Sequence, residues 1–278
     1  METGGGASVL RLATEAHKAG HLEEAIALYR RVLGEAETEQ PGVRILLANA
    51  LIAAPGPAPS LEATRNAEAT ALATSVYEHC CKMKAGVVSA PQKALLLCRY
   101  ANFLLTRVGA FGERADADAA GAPGAAEREH EPEREHDLGR AICVLQEATR
   151  LDATLVLAWR NLGVAHMLAK DAGAAVKAFA TAVEGSKGKQ GVPLDLRVRY
   201  AKALRRAGEM SEAAQQFMLA LEMEPSNFML RFWLQVTLAS GRVSPTVASC
   251  ADTMLRSASS SVCATSASGG TPVNVEGT

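Results

Sequence analysis

Apolar and polar positions alternate along this chain with a helical period, and one pattern recurs. In "AGEMSEAAQQFMLALEMEP" (207–225), Ala213, Phe217 and Ala220 fall on one helical face. Gly208 supplies a turn before them and Pro225 a stop after them. The same spacing returns as Ala25, Tyr29 and Val32 after Gly20, as Ala73, Tyr77 and Cys80, as Ala141, Leu145 and Ala148, and as Ala175, Phe179 and Ala182. A second pattern lies between these copies. "CRYANFLLTRVG" (98–109) and "VRYAKALRRAG" (198–208) share Arg-Tyr-Ala and a Leu three residues on, and "VRILLANALIAA" (43–54) is similar. Taken with caps and breakers, the periodicity predicts helices over 7–19, 22–37, 42–54, 61–84, 91–108, 137–151, 155–169, 172–185, 193–207, 210–223 and 226–240. A last helix is predicted over 245–257, where Ser244–Pro245 reads as N-cap and first turn.

Self-similarity at a period near 34 residues is the mark of a stacked helix-pair array. Trp159-x2-Leu162-Gly163-x2-His166 and Ala213-x3-Phe217 through Pro225 resemble the tetratricopeptide repeat, with His166 in the usual Tyr place. The resemblance covers residues 8–241 and implies an all-α, right-handed superhelix of about five to six helix pairs. Residue size follows the packing that such an array needs. Small residues (Ala13, Ala48, Ala101, Gly163, Ala201) belong where two helices approach, with Ala25, Ala141, Ala175 and Ala213 opposite them. Large ones (Tyr29, Tyr77, Leu145, Phe179, Phe217) fill the gap between one pair and the next.

Composition adds the exceptions. Residues 112–137 carry 9 acidic and 3 basic side chains, no large apolar one, and repeated Gly/Pro breaks. A disordered acidic insertion at 112–136 is therefore expected, inside a repeat domain spanning 7–257. Residues 1–6 and the Ser/Gly-rich 258–278 read as disordered ends. "PGPAPS" (55–60) reads as a loop. The net charge of −1 gives no nucleic-acid or membrane-surface signature. With no secretory signal and no apolar run of about 18 residues, the chain reads as cytoplasmic or nuclear. Its six cysteines then read as reduced thiols, with one of Cys80–Cys81 facing the core and the other the flank.

Nothing in the pattern points to catalysis. Phosphate-cradling and nucleophile-elbow motifs are missing. "EREHEPEREH" (127–136) lacks the spacing of a metal site, and Pro132 reads as a break in any helix there, so neither cofactor nor metal is expected. The resemblance implies a non-enzymatic adaptor whose first helices line a concave groove for a partner peptide or helix. Arg99, Asn102, Arg160, Asn161, Arg199, Lys202 and Arg205 are the expected groove residues, with Asn49 and Arg206 as further candidates. Arg and Asn suit carboxylates and peptide backbone, so an acidic partner segment fits them. Chaperone-binding members of the family share a carboxylate clamp of Lys, Asn and Arg. Asn102, Asn161 and Arg199 fall in its places, but its two lysine places hold Cys98 and Asp195. The alternatives left open are a non-catalytic repeat subunit or truncated form of a larger enzyme, and a co-chaperone.

Overall fold

A computed structural model of the chain describes residues 4–35, 40–54, 59–82, 89–109, 131–187 and 191–266. These form α1 (Gly4–Lys18), α2 (Leu22–Glu35), α3 (Pro41–Ala53), α4 (Pro59–Lys82), α5 (Ala90–Val108), α6 (Glu131–Leu151), α7 (Val156–Leu168), α8 (Ala172–Ser186), α9 (Leu194–Ala207), α10 (Met210–Met223), α11 (Phe228–Ala239) and α12 (Pro245–Ser266). No strand occurs among the described residues. The chain divides into two compact units, residues 1–171 and 172–278.

In the first unit each helix packs on the next, and α3, α5 and α7 also pack in series (α3 on α5, α5 on α7). In the second unit α8 packs on α9, α9 on α10 and α10 on α11, while α12 closes on both α10 and α11. The small residues lie where the repeat requires. Ala13, Ala48, Ala101 and Ala201 are fully buried, as are Ala25, Ala141, Ala175 and Ala213. Tyr29, Leu145, Phe179 and Phe217 are also fully buried. Each such side chain contributes roughly 1.5–3 kcal/mol by leaving water. Tyr77 departs from the pattern. Val76 and Cys80 take the buried places on α4, and Tyr77 stacks on Tyr100, with ring centroids 4.9 Å apart. The Arg140 guanidinium covers both rings, 4.8 and 5.4 Å from their centroids.

Three helix ends differ from the predicted bounds by three residues or more. α1 begins at Gly4, inside the stretch read as a disordered end. α6 begins at Glu131, so residues 131–136 are helical rather than part of the insertion. Pro132 sits in the first turn, where a missing N–H costs nothing, so it starts this helix instead of breaking it. α12 runs on to Ser266, past the expected end. The remaining expectations for the acidic segment and the tail, at 112–130 and 267–278, lie outside the described residues.

Although a long segment separates α5 from α6, specific contacts join them. Arg107 pairs with the nearly buried Asp137 at 3.1 Å, and Arg134 donates to the Val108 carbonyl at 2.9 Å. Across the first two pairs, Arg30 donates to both carboxylate oxygens of Glu68, at 3.0 and 2.7 Å. At α12, the Ser244 N–H donates to Ser211 Oγ of α10 at 2.9 Å, which ties the last helix to its neighbour.

One turn is built the same way three times. After α1, α7 and α9 the chain passes through a left-handed residue: Gly20 (φ +82°), Lys170 (φ +60°) and Gly208 (φ +88°). The next N–H closes back on the carbonyl five residues earlier, as His21 to Ala16, Asp171 to His166 and Glu209 to Leu204, each at 2.9 Å. This bond satisfies a carbonyl that the helix end would leave open. Glycine adopts the conformation freely; a lysine is strained by its Cβ.

Lys170→Gly is therefore expected to raise the unfolding free energy by about 0.5–1 kcal/mol, and Gly208→Ala to lower it by about 1 kcal/mol. Nothing lies within 4 Å of a Cβ placed on Gly208, so that cost is conformational and not steric. Urea titration of both variants checks the opposite signs.

Burial lowers the pKa of His17, whose Nδ1 lies 3.4 Å from the Tyr29 hydroxyl. The unfolded chain then takes up the proton first as pH falls. The stability this group gives is complete above its unfolded pKa near 6.5 and is lost as pH drops through the lower folded value. His17→Gln should flatten the urea-midpoint profile in that window.

Cys80 is buried and Cys81 exposed, because consecutive side chains on a helix point in different directions around its axis. Burial pushes the Cys80 thiol up to about 11 and Cys98 to about 12. Iodoacetamide applied to the native protein at neutral pH should modify the exposed Cys81, Cys143 and Cys250 while sparing Cys80 and Cys98, read by mass spectrometry.

Candidate functional site

The expected groove residues fall into two sets, one in each unit. In the first unit, α5 supplies Arg99 and Asn102, and α7 supplies Arg160 and Asn161. The packing of α5 on α7 brings them together. Asn161 Nδ2 donates to Asn102 Oδ1 at 3.4 Å and approaches Cys98 Sγ at 3.8 Å. Asn161 is fully buried, and its Oδ1 makes no hydrogen bond within the protein. It therefore sits in the wall of the site, beneath the half-buried Arg99, Asn102 and Arg160. The bond from Asn161 fixes Asn102 by its oxygen, which turns the Asn102 NH2 group the other way. Asn49, on α3, likewise has a buried side-chain oxygen without a hydrogen bond.

Charge is arranged around Cys98. Burial raises its pKa, while Arg160, Arg99 and the Asn161 amide oppose the rise less strongly. The thiol stays neutral, so the place where chaperone-binding tetratricopeptide domains carry a clamp lysine holds no charge here. Arg99 reaches back across α3, its Nη1 lying 3.4 Å from where a Cβ on Gly42 would sit. A larger residue at 42 would press on the guanidinium. His166, on the same helix as Arg160, is half-buried, and its pKa is lowered by burial against the opposing charge of Asp171.

In the second unit, α9 carries Arg199, Lys202 and Arg205. Lys202 and Arg205 stand one turn apart and share one aromatic partner, Trp233 of α11. The Lys202 ammonium is 5.2 Å and the Arg205 guanidinium 4.7 Å from its ring centroid. Such contacts are worth roughly 0.5–2 kcal/mol each and hold long cationic side chains in place. Arg199 is half-buried on this helix and Arg206 exposed; Asp195, in the other clamp lysine place, is exposed at its start.

The sequence reading missed the aromatic side of this second set. Trp233 is the floor under two cations, and Phe228, Met229 and Phe232 beside it are exposed. The signal was present in "FMLRFWLQV": Leu230 and Leu234 supply the buried row, leaving the aromatic residues over for other rows of the same helix. Among the described residues no three His, Cys, Asp or Glu side chains gather as a metal site, and no helix is long and apolar enough to cross a membrane.

No protein-family model matches the sequence, and a comparison with curated proteins finds no match. Solved structures do match. PilF of Pseudomonas aeruginosa is 13% identical with a TM-score of 0.58, over 95% of this chain and 92% of that one. A thermophilic tetratricopeptide-repeat protein of Thermus thermophilus is 16% identical with a TM-score of 0.55, over 84% and 99%. The assembly chaperone of RpL4, Acl4, is 13% identical with a TM-score of 0.51, over 84% and 82%. At such identities the likeness speaks to architecture, and it agrees with the repeat read from the residues: the chain has the tetratricopeptide-like helical-repeat fold.

Proposed function

We propose that this chain is a non-catalytic protein-interaction scaffold that binds partner segments along the first helices of its pairs. The observation that carries this is the cluster in the first unit. Asn161 is buried and orients Asn102, whose NH2 group is then set to meet a carbonyl acceptor, while Arg99 and Arg160 flank it. Pre-oriented amides suit a peptide backbone, and guanidinium groups suit carboxylates in two-pronged contacts. A neutral, buried thiol beside them offers packing and no reactive charge. Acl4, of the same fold, is named for the protein whose assembly it serves, which supports a protein partner here as well. The cations of α9 favour a partner segment of acidic character.

Affinity purification with the full chain tests the reading, against two variants whose folding is checked by circular dichroism. Asn102→Ala with Arg160→Glu alters the first set, and Arg199→Glu with Lys202→Glu alters the second. At least one variant should lose its specific partners, with direct binding weakened about tenfold or more. If both retain every partner of the wild type, the proposal is wrong.

A further inference from the structure

Six large apolar side chains are exposed among the described residues, and five of them crowd into α10 and α11: Leu219, Met223, Phe228, Met229 and Phe232. Phe228 is 73% exposed, on a chain with only 4% aromatic residues. Exposed apolar residues scattered singly need no explanation; Phe228, Met229 and Phe232, grouped on one helix, mark an interaction surface. On α11 the buried row is Leu230, Leu234 and Thr237. Phe228 and Phe232 lie one turn apart on the opposite side, and Met229 and Trp233 form the next row.

Two further features border this stripe. On the α9 side stand Lys202 and Arg205, held over Trp233. α9 as a whole carries Arg197, Arg199, Lys202, Arg205 and Arg206 against the single acid Asp195, and α11 adds Arg231 with no acid. On the α12 side a cleft of about 530 Å³ opens, lined by Arg231, Gln235, Leu238, Asp252, Leu255 and Arg256. Arg231 and Gln235 belong to the helix row adjoining Phe228 and Phe232, so stripe and cleft are continuous.

We infer that the α9–α11 face of the second unit docks an acidic amphipathic helix, with apolar side chains one turn apart and carboxylates on its flanks. This rests on the protein-interaction reading above and gives the partner of the second set its chemistry. α11 is 12 residues long, about 18 Å, so three turns of a partner helix can run beside it. Its aromatic rows repeat at the helical step, the spacing met in helix-in-groove recognition. The excess of positive charge on α9 and α11 selects against a basic or neutral partner of equal hydrophobicity. Stacking on Trp233 restrains Lys202 and Arg205 before the partner arrives, which reduces the ordering cost of binding.

The test uses the full chain and a fluorescein-labelled helical peptide of about four turns, with Leu at one-turn spacing and Glu on both flanks. A second peptide has every Glu replaced by Lys. Anisotropy should show saturable binding of the acidic peptide, at least about tenfold tighter than the basic one and weakening as salt rises. Phe228→Ser with Phe232→Ser changes exposed residues, so the fold is retained, and affinity should drop about tenfold or more. Lys202→Gln with Arg205→Gln should remove most of the salt dependence. Equal binding of the two peptides, or an unchanged affinity in the Phe variant, overturns the inference. So does light scattering that shows a dimer of the wild type, dissociated by the Phe substitutions, with no peptide binding. If the peptide fails while purified partners still depend on Asn102 and Arg160, the scaffold reading stands and this one falls.

Discussion

Close approach of helices at alanine is the constraint on which the rest of this molecule depends. Ala13 and Ala25, Ala101 and Ala141, and Ala201 and Ala213, one on each helix of a packed pair, are all fully buried. Extra methylenes at such a place cost about 1–3 kcal/mol by forcing the helices apart. Helices brought this near to each other leave room elsewhere, between one pair and the next, and there the large residues are required. Phe217 and Tyr29 are thus consequences of the alanines beside them. The turn must then return the chain within two or three residues, which is why a left-handed residue recurs after α1, α7 and α9.

Much of this could be read from the chain because it repeats. A spacing seen once is ambiguous; seen five times it fixes helix, partner helix and buried face together. The departures have local causes. Pro132 looks like a breaker among charged neighbours, yet proline is compatible with a first turn, and Glu133, Glu135 and His136 after it simply remain exposed. Tyr77 stands where the pattern asks for a gap filler, but it gains a stacked Tyr100 and a cation from Arg140 by turning outward, and Val76 takes the interior.

The candidate groove residues were less legible, since spacing gives a helix face and not the depth of a side chain. Asn161 shares the row expected to meet a partner, but a neighbouring helix covers it, so it acts through Asn102. Trp233 escaped notice because an apolar residue in an apolar helix looks like core. Only its pairing with Lys202 and Arg205, 28 to 31 residues earlier in the chain, sets it apart. The two units also differ in chemistry: amides and guanidinium groups around a neutral thiol in one, cations braced on an indole beside exposed phenylalanines in the other. One fold thus presents two surfaces of different chemistry.

The seam between α5 and α6 has a consequence of its own. A short connection sets the pairing of its helices partly by its length, whereas here Arg107, Asp137, Arg134 and the Val108 carbonyl set it by direct contact. Closing a loop costs little more as it lengthens, about 0.6 kcal/mol for each doubling. The register of this pair is therefore written in its side chains and hardly at all in the distance along the chain. Evolution can lengthen, shorten or rewrite the link between residues 109 and 131 without moving a helix, which makes that junction the place where the repeat is free to acquire new sequence.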